Sequence, residues 1–221
     1  GFRFIETPRA PVFPGAGSGG SAVALSVTSG SNIATYTAAK TATLDAMVAM
    51  GRCSDILVLG RPGADPENVA PATVEAALYE CARAVMIAPP KAGEGGFNSV
   101  VVAWNGSFQA ARSLEYSLPF LTKASKVTLL VVGSKPDDVG ASYLQRNLGR
   151  HGINVAIDAI DPGAVSARAR GRDLLNYTHE KGADLLVMGA YGRGQVLSFL
   201  GLGGATAKVI SSCRVPLLLA H

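Results

Sequence analysis

Residues 188–206 carry the side chains and glycines best suited to chemistry. Met188, Gly189, Ala190, Tyr191, Gly192 and Arg193 open the stretch, and Gly203, Gly204, Ala205 and Thr206 close it. A glycine admits positive φ and lets a ligand approach the backbone with no Cβ in the way. A helix starting at the end of such a loop offers unbonded N–H groups and a partial positive charge, which suit a phosphate. Thr206 adds a hydroxyl, and Arg193 adds a cation able to bind an oxyanion. A glycine-rich stretch is also a common strand-to-helix connection, so its meaning depends on what faces it. The turn Asn105-Gly106-Ser107 is the partner to look for. It directly follows Trp104, whose ring either packs or stacks on a base.

The elements that must position these two segments form a regular series. Apolar runs at residues 99–104, 127–132, 153–157, 184–188 and 215–219 are strand-sized. Between them lie helical patterns. Ala111, Leu114, Leu118 and Leu121 recur at helical spacing, and Tyr143, Leu144 and Leu148 mark one face of a helix over 138–150. Further helices are predicted over 165–181 and 205–212, with Gly152 and Gly182 as stops. Strands alternating with helices imply a doubly wound α/β fold with a parallel five-stranded sheet in the flavodoxin-like order 3-2-1-4-5. In that order strands 1 and 4 are central neighbours, so the turn after Trp104 and the loop after Met188 meet across one crevice. Pro216 cannot donate to a ladder, which predicts that the last strand lies at a sheet edge.

The first 96 residues are less regular. Residues 15–20 read as a flexible Gly/Ser/Ala loop, and strands are expected at 22–27, 33–37, 54–60 and 85–88. Helices are expected at 43–52 and 73–83. There is an internal repeat. The segment Asp55-Ile-Leu-Val-Leu-Gly60 parallels Asp184-Leu-Leu-Val-Met-Gly189, and each leads through a helix to a Cys, an Arg and an apolar strand. The chain thus divides into residues 1–96, an incomplete or degenerate repeat, and residues 97–221, an intact one. The first half has no recognisable equivalent of residues 100–107, and the chain begins at Gly1 without Met, so the expectation is either that its start is missing or that this half has decayed.

Composition narrows the function. Hydrophobic residues are 48% and charged residues 16%, which is globular rather than disordered. No apolar run approaches the length of a membrane span. Seven basic and eight acidic residues give −1 over residues 1–96, whereas thirteen and eight give +5 over 97–221, a balance that suits an anionic ligand. The basic residues are scattered and aromatics are 6%, so nucleic acid is not the expected partner. Cys53, Cys81 and Cys213 lack disulfide or zinc spacing and suit a reducing cytoplasm. No Gly-Lys-Ser/Thr phosphate loop or Gly-x-Ser-x-Gly elbow occurs, and the loop after Met188 is no dinucleotide fingerprint. His151, His179 and His221 lack metal spacing and read as solvated, while Asp158 and Asp161 read as loop acids.

Residues 183–221 are similar to the C-terminus of tandem universal stress proteins. Residues 99–121 resemble the start of their second repeat, and the run from Asp55 through Pro90 resembles the end of their first. The likeness covers about residues 50–221. It implies a protein that binds ATP, with or without Mg²⁺, or another adenine nucleotide. By the family pattern Trp104, Asn105, Gly106 and Ser107 contact the nucleotide, and the strand end at Val132 meets the adenine. Met188, Gly189, Gly192 and Arg193 line the ribose and phosphates, and Gly203, Gly204, Ala205 and Thr206 hold the phosphates. Ten residues separate Gly192 from Gly203 where the family pattern has nine, and Gly204 replaces a hydroxyl residue, with Thr206 two positions on. Asn105 stands where an aspartate is frequent. No catalytic residue is expected. Two alternatives stay open: a scaffold that binds no nucleotide and acts as a homo-oligomer or pseudo-dimer through edge strands, and a slow ATP-cleaving enzyme.

Overall fold

The computed structural model describes residues 44–63, 68–90, 96–191 and 204–221. The strands expected at 22–27 and 33–37 lie outside them, as does the loop at 15–20. The first described unit is α1 (Leu44–Arg52), β1 (Ile56–Gly60), α2 (Pro71–Glu80) and β2 (Ala84–Ala88). The second begins with β3 (Ser99–Ala103), α3 (Phe108–Leu121), β4 (Lys126–Val132) and a 3-10 turn (Asp137–Val139). It continues through α4 (Ala141–Arg150), β5 (Val155–Ile160), α5 (Ala167–Glu180), β6 (Leu185–Gly189), α6 (Ala205–Ser212) and β7 (Leu217–Ala220).

Local chemistry explains the helix bounds. The Ser107 side chain accepts the Ala110 N–H at the start of α3, and Ser166 does the same for Ala169 at the start of α5. Each satisfies one of the amides a helix start leaves open. After α4 and α5 the chain turns at Gly152 (φ +75°) and Gly182 (φ +59°), the left-handed conformation that favours glycine. α4 buries Ala141 and Leu148 but leaves Tyr143 73% exposed, contrary to the apolar face expected of it. Tyr143 is adjacent to Leu144, and one step rotates a side chain about 100° around the helix axis, so the two cannot share the buried stripe.

The seven strands of the described residues form one sheet, ordered β1-β2-β7-β6-β3-β4-β5. The predicted five-strand order is present within it, and β3 lies between β6 and β4 at the reversal. Every neighbouring pair is parallel except β2 and β7, which run antiparallel with Met86 opposite Leu218. This corrects the expected position of the last strand, which is interior. Pro216 is accommodated because β7 starts one residue later, and the Pro216 carbonyl still accepts the Leu186 N–H at 3.0 Å.

Two apolar layers sandwich the sheet. One joins Leu57, Val74, Leu186, Ile210 and Leu217, and the other joins Ile56, Met86, Val100, Leu129, Leu148 and Leu218. Each draws on both halves of the chain, so the core runs unbroken across the β2–β7 seam. Strands buried on both faces read as continuous apolar runs, which is why they were legible. Cys81 and Cys213 are buried, and burial pushes both thiols up; Cys53 is exposed. No helix among the described residues is long and apolar enough to cross a membrane.

Candidate functional site

The carboxyl ends of β3 and β6 come together as the strand order requires, and the contact between the segments that follow is intimate. A Cβ built on Gly189 would lie 2.6 Å from the Ala110 nitrogen and 2.9 Å from the Gln109 Cβ. Gly189 therefore lets β6 end against the first turn of α3. Met188 is buried, and its carbonyl lies 2.8 Å from Ser113 Oγ. The same Ser113 oxygen lies 2.8 Å from the Gln109 carbonyl and accepts the Ala220 N–H at 3.0 Å. One buried hydroxyl thus ties α3, β6 and β7 together. The Gln109 amide donates to the Tyr191 carbonyl at 3.3 Å.

The turn after β3 closes on itself. Asn105 Oδ1 accepts from both the amide (3.1 Å) and the hydroxyl (2.7 Å) of Ser107. Gly106 has φ +70°, as this tight turn requires. Trp104 points elsewhere. Its indole N–H donates to the Val139 carbonyl at 2.7 Å, and its ring joins the apolar layer of α3 and α4. Val132 and Tyr191 pack against the opposite layer. The Trp104 ring therefore packs against the layer opposite to that of Val132 and Tyr191.

The N-terminus of α6 stands at the end of that loop. Gly204 is its cap residue, with φ −70° and ψ 164° and no side-chain cap. Thr206 Oγ1 accepts the Tyr191 N–H at 3.3 Å, which leaves its own O–H free to donate. Tyr191 is held at φ +50°, an uncommon conformation for a residue other than glycine. The helix is pinned from behind by Gly171 on α5, where a Cβ would lie 2.9 Å from the Ala205 carbonyl oxygen. Gly192, Arg193 and Gly203 lie outside the described residues.

Several residues at this edge carried no signal in the sequence. Arg170 on α5 reaches the turn after Val132, its Cδ 3.6 Å from where a Cβ on Gly133 would be. Tyr191 stacks on Tyr79 with ring centroids 5.7 Å apart, and Tyr79 meets His221 at 4.4 Å. His221 is half-buried rather than solvated, with Nδ1 3.1 Å from the Ala190 carbonyl oxygen. Burial first, and then the neighbouring Tyr79 and Glu75, push the Tyr191 phenol upward. Among the described residues the buried Gln109 Oε1 and Tyr191 Oη have no hydrogen-bond partner. Asp158 is a strand residue of β5 rather than a loop acid, bonded by the Tyr177 hydroxyl and paired with Lys181 at 3.3 Å. Asp161 does lie in a loop, where it accepts the Gly163 N–H. No group of His, Cys, Asp and Glu among the described residues could hold a metal ion.

Comparison with known proteins fits this geometry. Solved structures with the same fold include a universal stress protein from Archaeoglobus fulgidus. It has 20% identity and a TM-score of 0.61, over 80% of this chain and 66% of that one. A functionally unknown protein from Pseudomonas aeruginosa matches at 12% identity and a TM-score of 0.53, over 82% of this chain and 68% of that one. The chain thus spans about two thirds of the length of these structures. No curated protein matches it. The model of the universal stress protein family matches residues 96–221, more than half of the chain. The chain belongs to the universal stress protein family.

Proposed function

We propose that the chain binds an adenine nucleotide, ATP with or without Mg²⁺, at the carboxyl edge of β3, β4 and β6, and that occupancy regulates a cytoplasmic stress response. The observation that carries this reading is the start of α6. Its first amides have no side-chain cap, Thr206 stands beside them, and Gly171 fixes the helix at the strand-order reversal. Such a terminus stabilises an anion through its N–H groups and dipole. Arg170, beside the end of β4, adds a cation on the same side of the sheet. The residues present therefore fit a phosphate. The turn at Asn105 offers an amide where a carboxylate would be needed to activate water, so any turnover is expected to be slow. Titration calorimetry with ATP and Mg²⁺ tests the proposal, and absence of heat at millimolar nucleotide would end it.

The β2–β7 seam favours a second reading, compatible with the first. The units β1-α2-β2 and β6-α6-β7 share one strand–helix–strand plan and meet through an antiparallel pair centred on Met86 and Leu218. We read this as a tandem in which a partial first repeat occupies the edge that a second copy would otherwise cover. The oligomerising edge is then satisfied within one chain. A fragment of residues 97–221 should self-associate in sedimentation experiments where the whole chain does not. A monomeric fragment would remove this reading.

A further inference from the structure

The geometry points to a second ligand site on the outer side of Trp104, one that takes a planar ring bearing an oxyanion such as a phosphate monoester. It is independent of the nucleotide reading. An open concavity of about 670 Å³ lies between the turn after β3 and α4. One wall is Trp104 and Gly106. The other is a stripe of α4, namely Tyr143, Arg146, Asn147 and Arg150. These four follow helical spacing, so they share one face.

The chemistry of that face is specific. Arg146 and Arg150 stand one turn apart, and no carboxylate among the described residues lines the concavity. Residues four apart have Cβ atoms about 5–6 Å from each other, a separation a single tetrahedral anion can bridge. The Arg146 guanidinium carbon lies 4.8 Å from the Tyr143 ring centroid. A guanidinium held over a ring at that distance keeps N–H donors with which it can bind an oxyanion. Tyr143 is 73% exposed, so part of its ring is open to a flat ligand ring beside that guanidinium. Asn147 adds an amide able to bond a ring substituent. The inner wall is rigid, because the Trp104 indole is fixed to the Val139 carbonyl and Gly106 packs against Val139.

Trp104 is the chain's only tryptophan, so its fluorescence reports on this wall directly. Phenyl phosphate is the minimal probe, with phenol and inorganic phosphate as controls. The expected result is a saturable fluorescence change with a dissociation constant below about 1 mM. Phenol should give none, and phosphate should bind more weakly. Arg146→Gln and Arg150→Gln should each weaken binding roughly tenfold, with unchanged circular dichroism and melting. Tyr143→Leu should weaken phenyl phosphate but not inorganic phosphate. Thr206→Val should leave phenyl phosphate binding intact, which separates this site from the nucleotide site. Absence of saturation, or arginine variants that bind like the parent, would overturn the assignment. So would a loss of phenyl phosphate binding in Thr206→Val.

Discussion

Gly189 meets the first turn of α3 so closely that a Cβ at Gly189 would lie 2.6 Å from the backbone nitrogen of Ala110. The obstruction is backbone, which cannot swing aside as a long side chain would. Gly189→Ala should therefore destabilise the fold by about 1–3 kcal/mol, the usual cost of overpacking. Urea unfolding followed by circular dichroism checks this. A midpoint equal to the parent's would mean that α3 and β6 slide apart freely.

Ser113 supports the same junction from inside. Its hydroxyl serves the Met188 and Gln109 carbonyls and the Ala220 N–H at full burial. Ser113→Ala leaves those groups short of a partner and should cost about 1–3 kcal/mol. Ser211→Ala, on the exposed side of α6, is the control and should be near neutral.

Gly204 occupies the cap of α6 with backbone angles that serine adopts readily. Gly204→Ser should add a few tenths of a kcal/mol of stability through capping. Under the nucleotide proposal it should also tighten ATP by roughly two- to fivefold through one added hydroxyl. Thr206→Val should weaken ATP roughly tenfold. Calorimetry on the two variants reads both effects; weaker ATP binding in Gly204→Ser together with parent-like binding in Thr206→Val would place the phosphates elsewhere.

The Tyr177–Asp158–Lys181 group makes stability depend on pH at both ends. The Tyr177 hydrogen bond, and then Lys181, hold the Asp158 carboxyl below its ordinary range. That contribution is present above about pH 4, the unfolded carboxyl value, and is lost as pH falls through the lowered folded value. Burial and the Asp158 hydrogen bond push the Tyr177 phenol upward. Its contribution is complete below about pH 10 and declines as pH rises toward the raised folded value. Tyr177→Phe should flatten both limbs of a stability–pH curve measured by denaturant midpoints. The acid limb should change only slightly, because the Lys181 and Asp158 side chains are each 41% exposed and solvent screens the pair.

The β2–β7 seam should make unfolding a single event. Met86 is 3% exposed and sits opposite Leu218 between the two halves. Met86→Ala should lower the whole thermal transition, at a cost of about 2–5 kcal/mol. Two separate transitions in calorimetry would show that the halves fold apart.

Much of the molecule followed from order along the chain. The apolar runs at β3, β4, β6 and β7 are strands because both of their faces are covered, a state that needs no distant information to recognise. The serine caps at Ser107 and Ser166 and the glycine stops at Gly152 and Gly182 act within a few residues of themselves. The alternation of strand and helix then placed the turn at Asn105 beside the end of β6. What escaped was every contact made by residues far apart. Ser113 and Ala220 are separated by 107 positions. Pro216 suggested an edge, yet the neighbour that makes β7 interior comes from the other half of the chain. Trp104 carried two readings, and the carbonyl that fixes its indole N–H lies 35 positions away, at Val139. Periodicity and capping are local energies written in adjacent residues. Register across a seam, the direction of an indole and the closeness of Gly189 to Ala110 depend on which surfaces meet once the sheet has closed.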